Sequence, residues 1–170
     1  EAKRADIIAD GGGTGAIGMI SAGPKRVTSI VEVSQRPRLS CMLSELGGEG
    51  AWLSWDMRAL TAKKELDARM QEMAPDLLVV EIKTTAGSQL QNFNEWSLET
   101  QQREFEESAS ARHVAQHCQE QRRREKFFVM EAPRSARAWK NPEVQKIMAE
   151  PDVLTVDADQ CMFAQKGLQW

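Results

Sequence analysis

A chain of 170 residues, 41% hydrophobic and 28% charged, is one ordinary domain with room for a substantial core. A net charge of −3 excludes a global basic field that would draw it onto nucleic acid. Cys41, Cys118 and Cys161, widely spaced and without a CxxC pair, argue against a disulfide framework or a cysteine zinc site and for a reducing, intracellular compartment.

Residues 1–26 read as a glycine-rich leader. Gly13, Gly15 and Gly18 spell GxGxxG, a dinucleotide fingerprint when it joins a strand to a helix. Gly23-Pro24 cuts short any helix that follows, so a flexible leader is expected instead. No run reaches the length of a membrane span and no secretory signal is seen; Glu1 in place of Met suggests a fragment or processed product.

From Val27 onward the pattern is regular. Residues 27–33 alternate and run apolar, as a strand does. A short helix over 38–46 is closed by Gly47-Gly48, and a second strand over 51–55 ends at Asp56. Leu60, Leu66, Met70 and Met73 share one face of a helix over 60–73. The third strand, 76–82, has the continuous core Leu77-Leu78-Val79-Val80, which suits a strand covered on both sides. Residues 84–96 read as a loop. A polar helix over 98–124 carries sparse apolar positions (Phe105, Ala109, Val114, Cys118) and a basic end over 121–126. A fourth strand, 127–130, runs into Glu131-Ala132-Pro133; a helix over 142–149 has Pro142 in its first turn; a fifth strand spans 153–156. This alternation predicts an α/β fold over 27–170: a Rossmann-like, mostly parallel sheet with helices on both faces.

In such a sheet Glu32, Asp56, Glu81 and Glu131 all reach the edge where ligands bind. Glu32 and Asp56 suit ribose hydroxyls of an adenosine-containing cofactor; the alternative use of a strand-ending acid is to cap the next helix. His113 and His117 would share a helix face beside Cys118. With no HExxH arrangement and no third ligand in view, they read as helix surface, and no metal site is assigned.

Several stretches, in order, resemble the catalytic core of cytosine-5 DNA methyltransferase-like proteins of mobile-element polyproteins, including those of dinoflagellates. They are Ile30-Val31-Glu32-Val33 with Arg36-Pro37-Arg38-Leu39, Trp55-Asp56, Pro75-Asp76-Leu77-Leu78-Val79-Val80, Ser88-Gln89-Leu90-Gln91-Asn92-Phe93-Asn94, Phe127 through Pro133, and Asp159-Gln160-Cys161-Met162-Phe163. The resemblance implies a fold that binds S-adenosylmethionine. It also implies a cysteine that attacks cytosine C6 and a glutamate that contacts the ring N3 and amine. Glu131 stands at the glutamate position. The cysteine tripeptide falls on Ile82-Lys83-Thr84, and a threonine hydroxyl cannot supply the thiolate. The glycine-rich cofactor loop is replaced by Ser34-Gln35-Arg36-Pro37, and nothing before Trp170 resembles a target-recognition region. The expectation is a pseudoenzyme, a binding or structural domain without cytosine methylation, with weak methyl transfer as the alternative.

Asp76 and Glu81-Ile82-Lys83 also look like the PD…ExK signature of nucleases, in which two acids bind Mg2+ and the lysine (Lys83) orients water. Five residues apart on one strand, Asp76 and Glu81 point to opposite faces; Asp56 is the other choice of first acid. A third reading is a nucleic-acid or protein contact through the basic end of the 98–124 helix.

Overall fold

The structure, a computed structural model, describes residues 14–19, 26–54, 60–82, 98–134 and 136–157. The elements follow as β1 (Thr14–Met19), β2 (Ser29–Ser34), α1 (Leu39–Glu45), β3 (Glu49–Ser54), α2 (Leu60–Met73), β4 (Leu77–Glu81), α3 (Leu98–Arg123), β5 (Phe127–Pro133), α4 (Pro142–Met148) and β6 (Val153–Asp157). The strands form one sheet in the order β3-β2-β4-β5-β1-β6. β2 is parallel to β3 and β4, and β4 to β5, while β1 runs antiparallel between β5 and β6. All the strands from β2 to β6 therefore share one direction, and the fold is the expected Rossmann-like α/β arrangement.

The middle of the sheet is built from apolar runs that tolerate burial on both sides. Val31, Val33, Leu78, Val80 and Phe128 are fully buried on one face, with Leu66 and Met70 of α2, Val114, Ala115 and Cys118 of α3, and Val144 and Ile147 of α4 packed against them. Strand alternation turns Ile30, Glu32, Ser34, Val79, Glu81 and Glu131 to the other face. There α1 lies over β2 and β3, its Ser40 buried. Gly50 permits the approach: a Cβ on it would stand 2.3 Å from the Ser40 carbonyl oxygen. Helices thus cover both faces, α1 on one and α2, α3 and α4 on the other.

Two expectations are corrected. Residues 14–19, read as part of a flexible leader, form β1, with Ala16 opposite Glu131 on one side and Val156 on the other. A slot between two parallel strands offers unpaired N–H and C=O groups on both sides, and this outweighs the poor strand propensity of Gly15 and Gly18. Gly15 and Gly18 therefore lie within a strand and not in a phosphate-binding turn. On α3, Phe105 is 75% exposed, whereas Ala111, Val114, Ala115 and Cys118 are buried. Their spacing is one helical face, and the small alanines let the helix lie close to β4 and β5.

No helix among the described residues is long and apolar enough to cross a membrane.

Candidate functional site at the carboxyl rim of the sheet

Among the parallel strands the first, β2, lies between the second, β3, and the third, β4. The chain reverses its direction across the sheet between β2 and β4, and ligands of open α/β sheets bind outside the carboxyl ends at such a reversal. Glu32 organises this place from below. Its carboxylate is fully buried and accepts hydrogen bonds from the Arg38 N–H (3.1 and 3.0 Å to its two oxygens), the Ser40 N–H (2.9 Å), Ser40 Oγ (2.7 Å) and Ser34 Oγ (3.1 Å). Burial alone would raise its pKa; the donors of Ser40, Arg38 and Ser34 outweigh that and hold it below the ordinary range. The α1 N-cap residue, Arg38, makes no side-chain cap, so the strand carboxylate takes over that role and faces the positive end of the helix. Glu32 is thus occupied inside the protein and supports the rim.

The capped turn carries Arg38 out over the strand ends. Its Nη2 lies 3.1 Å from Glu131 Oε2 and 4.0 Å from Glu81 Oε2, and its Nε lies 3.8 Å from Glu32 Oε1. Glu81 and Glu131 are partners in register on neighbouring parallel strands, which run about 4.8 Å apart. Glu81 also accepts a hydrogen bond from the Gln35 N–H at 3.1 Å. The Arg38 side chain is 49% exposed, and the two glutamates are 37% and 31% exposed, so all three meet solvent. Trp52, the β3 partner of Glu32, flanks the same turn. Its indole N–H donates to the Ser34 carbonyl (3.2 Å) and the ring is 40% exposed. The rim therefore offers two open carboxylates, one guanidinium and one flat aromatic surface.

Of the residues singled out in the sequence, Glu32, Glu81 and Glu131 come together here. Asp56, Lys83, Thr84 and Cys161 lie outside the described residues. Asp76 is at the other end of β4, roughly 16 Å along the strand from Glu81 at ~3.3 Å per residue. It accepts hydrogen bonds from the Thr28 N–H and Oγ and from the Ser29 N–H, so Asp76 and Glu81 do not form a metal-binding pair. Sequence reasoning missed Arg38 and Trp52 as site residues. The signal for Arg38 was its place directly before a helix that follows an acid-bearing strand. That for Trp52 was a large ring alternating with Gly50 and Ser54 on one face of a strand.

The basic end of α3 is engaged internally. Arg122 pairs with Glu150 and Asp152 (both 2.8 Å), Arg124 with Glu120 (2.8 Å), Arg123 with Glu120 (3.5 Å), and Lys126 bonds the Ala74 carbonyl. Arg122, Arg123 and Arg124 thus each lie within 4 Å of a neighbouring acid. No family model, curated protein or solved structure matches the chain.

Proposed function

We propose that this is a methyltransferase-like domain that binds an adenosine-containing ligand of the S-adenosylmethionine class at the carboxyl rim and does not methylate cytosine. The observation that carries the reading is Arg38 held over Glu81 and Glu131 at the reversal between β2 and β4, with Trp52 of the neighbouring strand β3 bonded to the Ser34 carbonyl at the end of β2. Each group has a use for such a ligand. An exposed indole stacks a purine. Carboxylates accept hydrogen bonds from ribose hydroxyls and from an exocyclic amine. The Arg38 guanidinium exchanges an internal carboxylate for the carboxylate of the ligand's amino-acid end, a charge-assisted contact of the stronger kind. Glu131 occupies the position that the resemblance gives to the catalytic glutamate, while Thr84 stands where that chemistry needs a thiolate.

Calorimetry with S-adenosylhomocysteine tests the binding. Heat of binding that weakens in Trp52→Ala is the expected result, and no heat at millimolar ligand overturns it. Labelled S-adenosylmethionine with cytosine-containing DNA tests the second half. No label is expected in the DNA; transfer that depends on Glu131 overturns that half.

A further inference from the structure

On the helical layer of the opposite face, Asp67 of α2 meets two residues of α3. Among the described residues, Asp67, His113 and His117 bring one donor atom each to within 4.8 Å of one another. His117 Nε2 is 2.8 Å from Asp67 Oδ1, and His113 Nε2 is 3.0 Å from the same oxygen. The imidazoles, four residues apart on one helix, stand edge to face with centroids 5.0 Å apart. Three donors from two helices thus converge on one point.

The arrangement is poorly satisfied by hydrogen bonds alone. His113 Nε2 is buried and has no hydrogen-bond partner: it is close to Asp67 Oδ1, but the geometry of a bond is not met. A buried imidazole nitrogen left in that state is costly, and a cation would use its lone pair. We infer that Asp67, His113 and His117 form a binding site for a divalent transition-metal ion of the zinc class. The dimensions suit it. Bonds of ~2.0–2.2 Å in a tetrahedron put ligand atoms about 3.3–3.5 Å apart, so the Nε2–Oδ1 separations of 3.0 and 2.8 Å need to open by about 0.3–0.7 Å. The donor set also selects the ion. Two imidazoles and one carboxylate suit zinc, cobalt or nickel, whereas calcium and magnesium require oxygen ligands. Cys118, adjacent to His117, is fully buried in the core and stays out of the set. Asp67 is 44% exposed, so the remaining coordination position faces solvent and takes water. The bound ion ties α2 to α3, independently of anything at the rim.

The test uses the untagged chain. It has only two histidines, so every imidazole signal belongs to this pair. Titration with Co2+ should give a d–d absorption band that saturates at one equivalent and is displaced by Zn2+. On adding Zn2+, both imidazoles should shift in 15N spectra to the form protonated at Nδ1, with Nε2 metal-bound. Asp67→Ala and His113→Ala should each weaken Co2+ binding at least about tenfold. Absence of the band and of imidazole shifts in excess Zn2+ overturns the assignment, as does unchanged affinity in folded Asp67→Ala. If a variant fails to fold, the imidazole spectra of the unmodified chain still decide.

Discussion

At the amino end of β4, Asp76 accepts hydrogen bonds from the Thr28 N–H (2.9 Å) and Oγ (2.7 Å) and from the Ser29 N–H (3.2 Å). At the carboxyl end of the same strand, Glu81 accepts one backbone bond from Gln35 and faces the half-exposed Arg38. The first carboxylate stitches β2 to β4 through donors fixed by the fold. The second is held partly by a side chain that can be exchanged for a ligand. The two ends of one sheet thus separate acids used for stability from acids left for binding. Glu32 sharpens the contrast: it sits at the carboxyl end yet is saturated from within, so it belongs with Asp76.

Removing the saturated acids should damage the fold, and Glu32 should matter most. Glu32→Ala removes the buried acceptor of the Arg38 and Ser40 N–H groups at the start of α1, where Ser40 is itself buried. A loss of about 3 kcal/mol in urea unfolding is expected; less than about 1 kcal/mol would break the comparison. Gly50→Ala should follow, at about 2 kcal/mol, because its Cβ drives α1 off the backbone of β3 and loosens the same capped turn. Asp76→Ala should cost a similar or smaller amount, within the ~1–3 kcal/mol range of lost hydrogen-bond partners.

Acid sensitivity follows from the same two groups. For Asp76, burial raises the pKa, but bonds from Thr28 and Ser29 and the charge of Lys126 more than compensate and lower it. Glu32 is also lowered. A carboxylate depressed in the folded state adds stability that is complete above its unfolded pKa and lost as pH falls through the folded value. The ordinary values are 4.5 for Glu32 and 3.8 for Asp76, so unfolding midpoints should fall from about there downward. Glu32→Gln with Asp76→Asn should flatten that slope. An unchanged slope would place the acid response elsewhere.

The smallest effect on stability belongs to the open ion pairs of the rim. Arg38→Ala should cost under about 1 kcal/mol, as for other exposed ion pairs, while weakening ligand binding at the rim. A large loss of stability without a change in binding would reverse the roles assigned to the two ends.

Much of the fold was legible because local pattern and burial agree. The run 77–80 is continuous and apolar and becomes a central strand, and α2 keeps the expected bounds Leu60–Met73. What was hidden is what depends on distant partners. β1 has no strand signal of its own; the gap between β5 and β6 makes it one. The buried stripe of α3 uses alanines, which carry little apolar signal, while Phe105 points outward. The strand-end acids were visible as a class, but which would be capped and which left open depended on the direction of α1. Asp67 meets the two histidines only because α2 and α3 lie side by side.

Mapping S-adenosylhomocysteine onto the amide and indole N–H resonances of the chain tests the division between the two ends most directly. Shifts confined to Ser34, Gln35, Arg38 and the Trp52 indole are expected, with Thr28, Ser29 and Asp76 unmoved. Shifts centred on Thr28 and Ser29, or no shifts at millimolar ligand, would contradict that division.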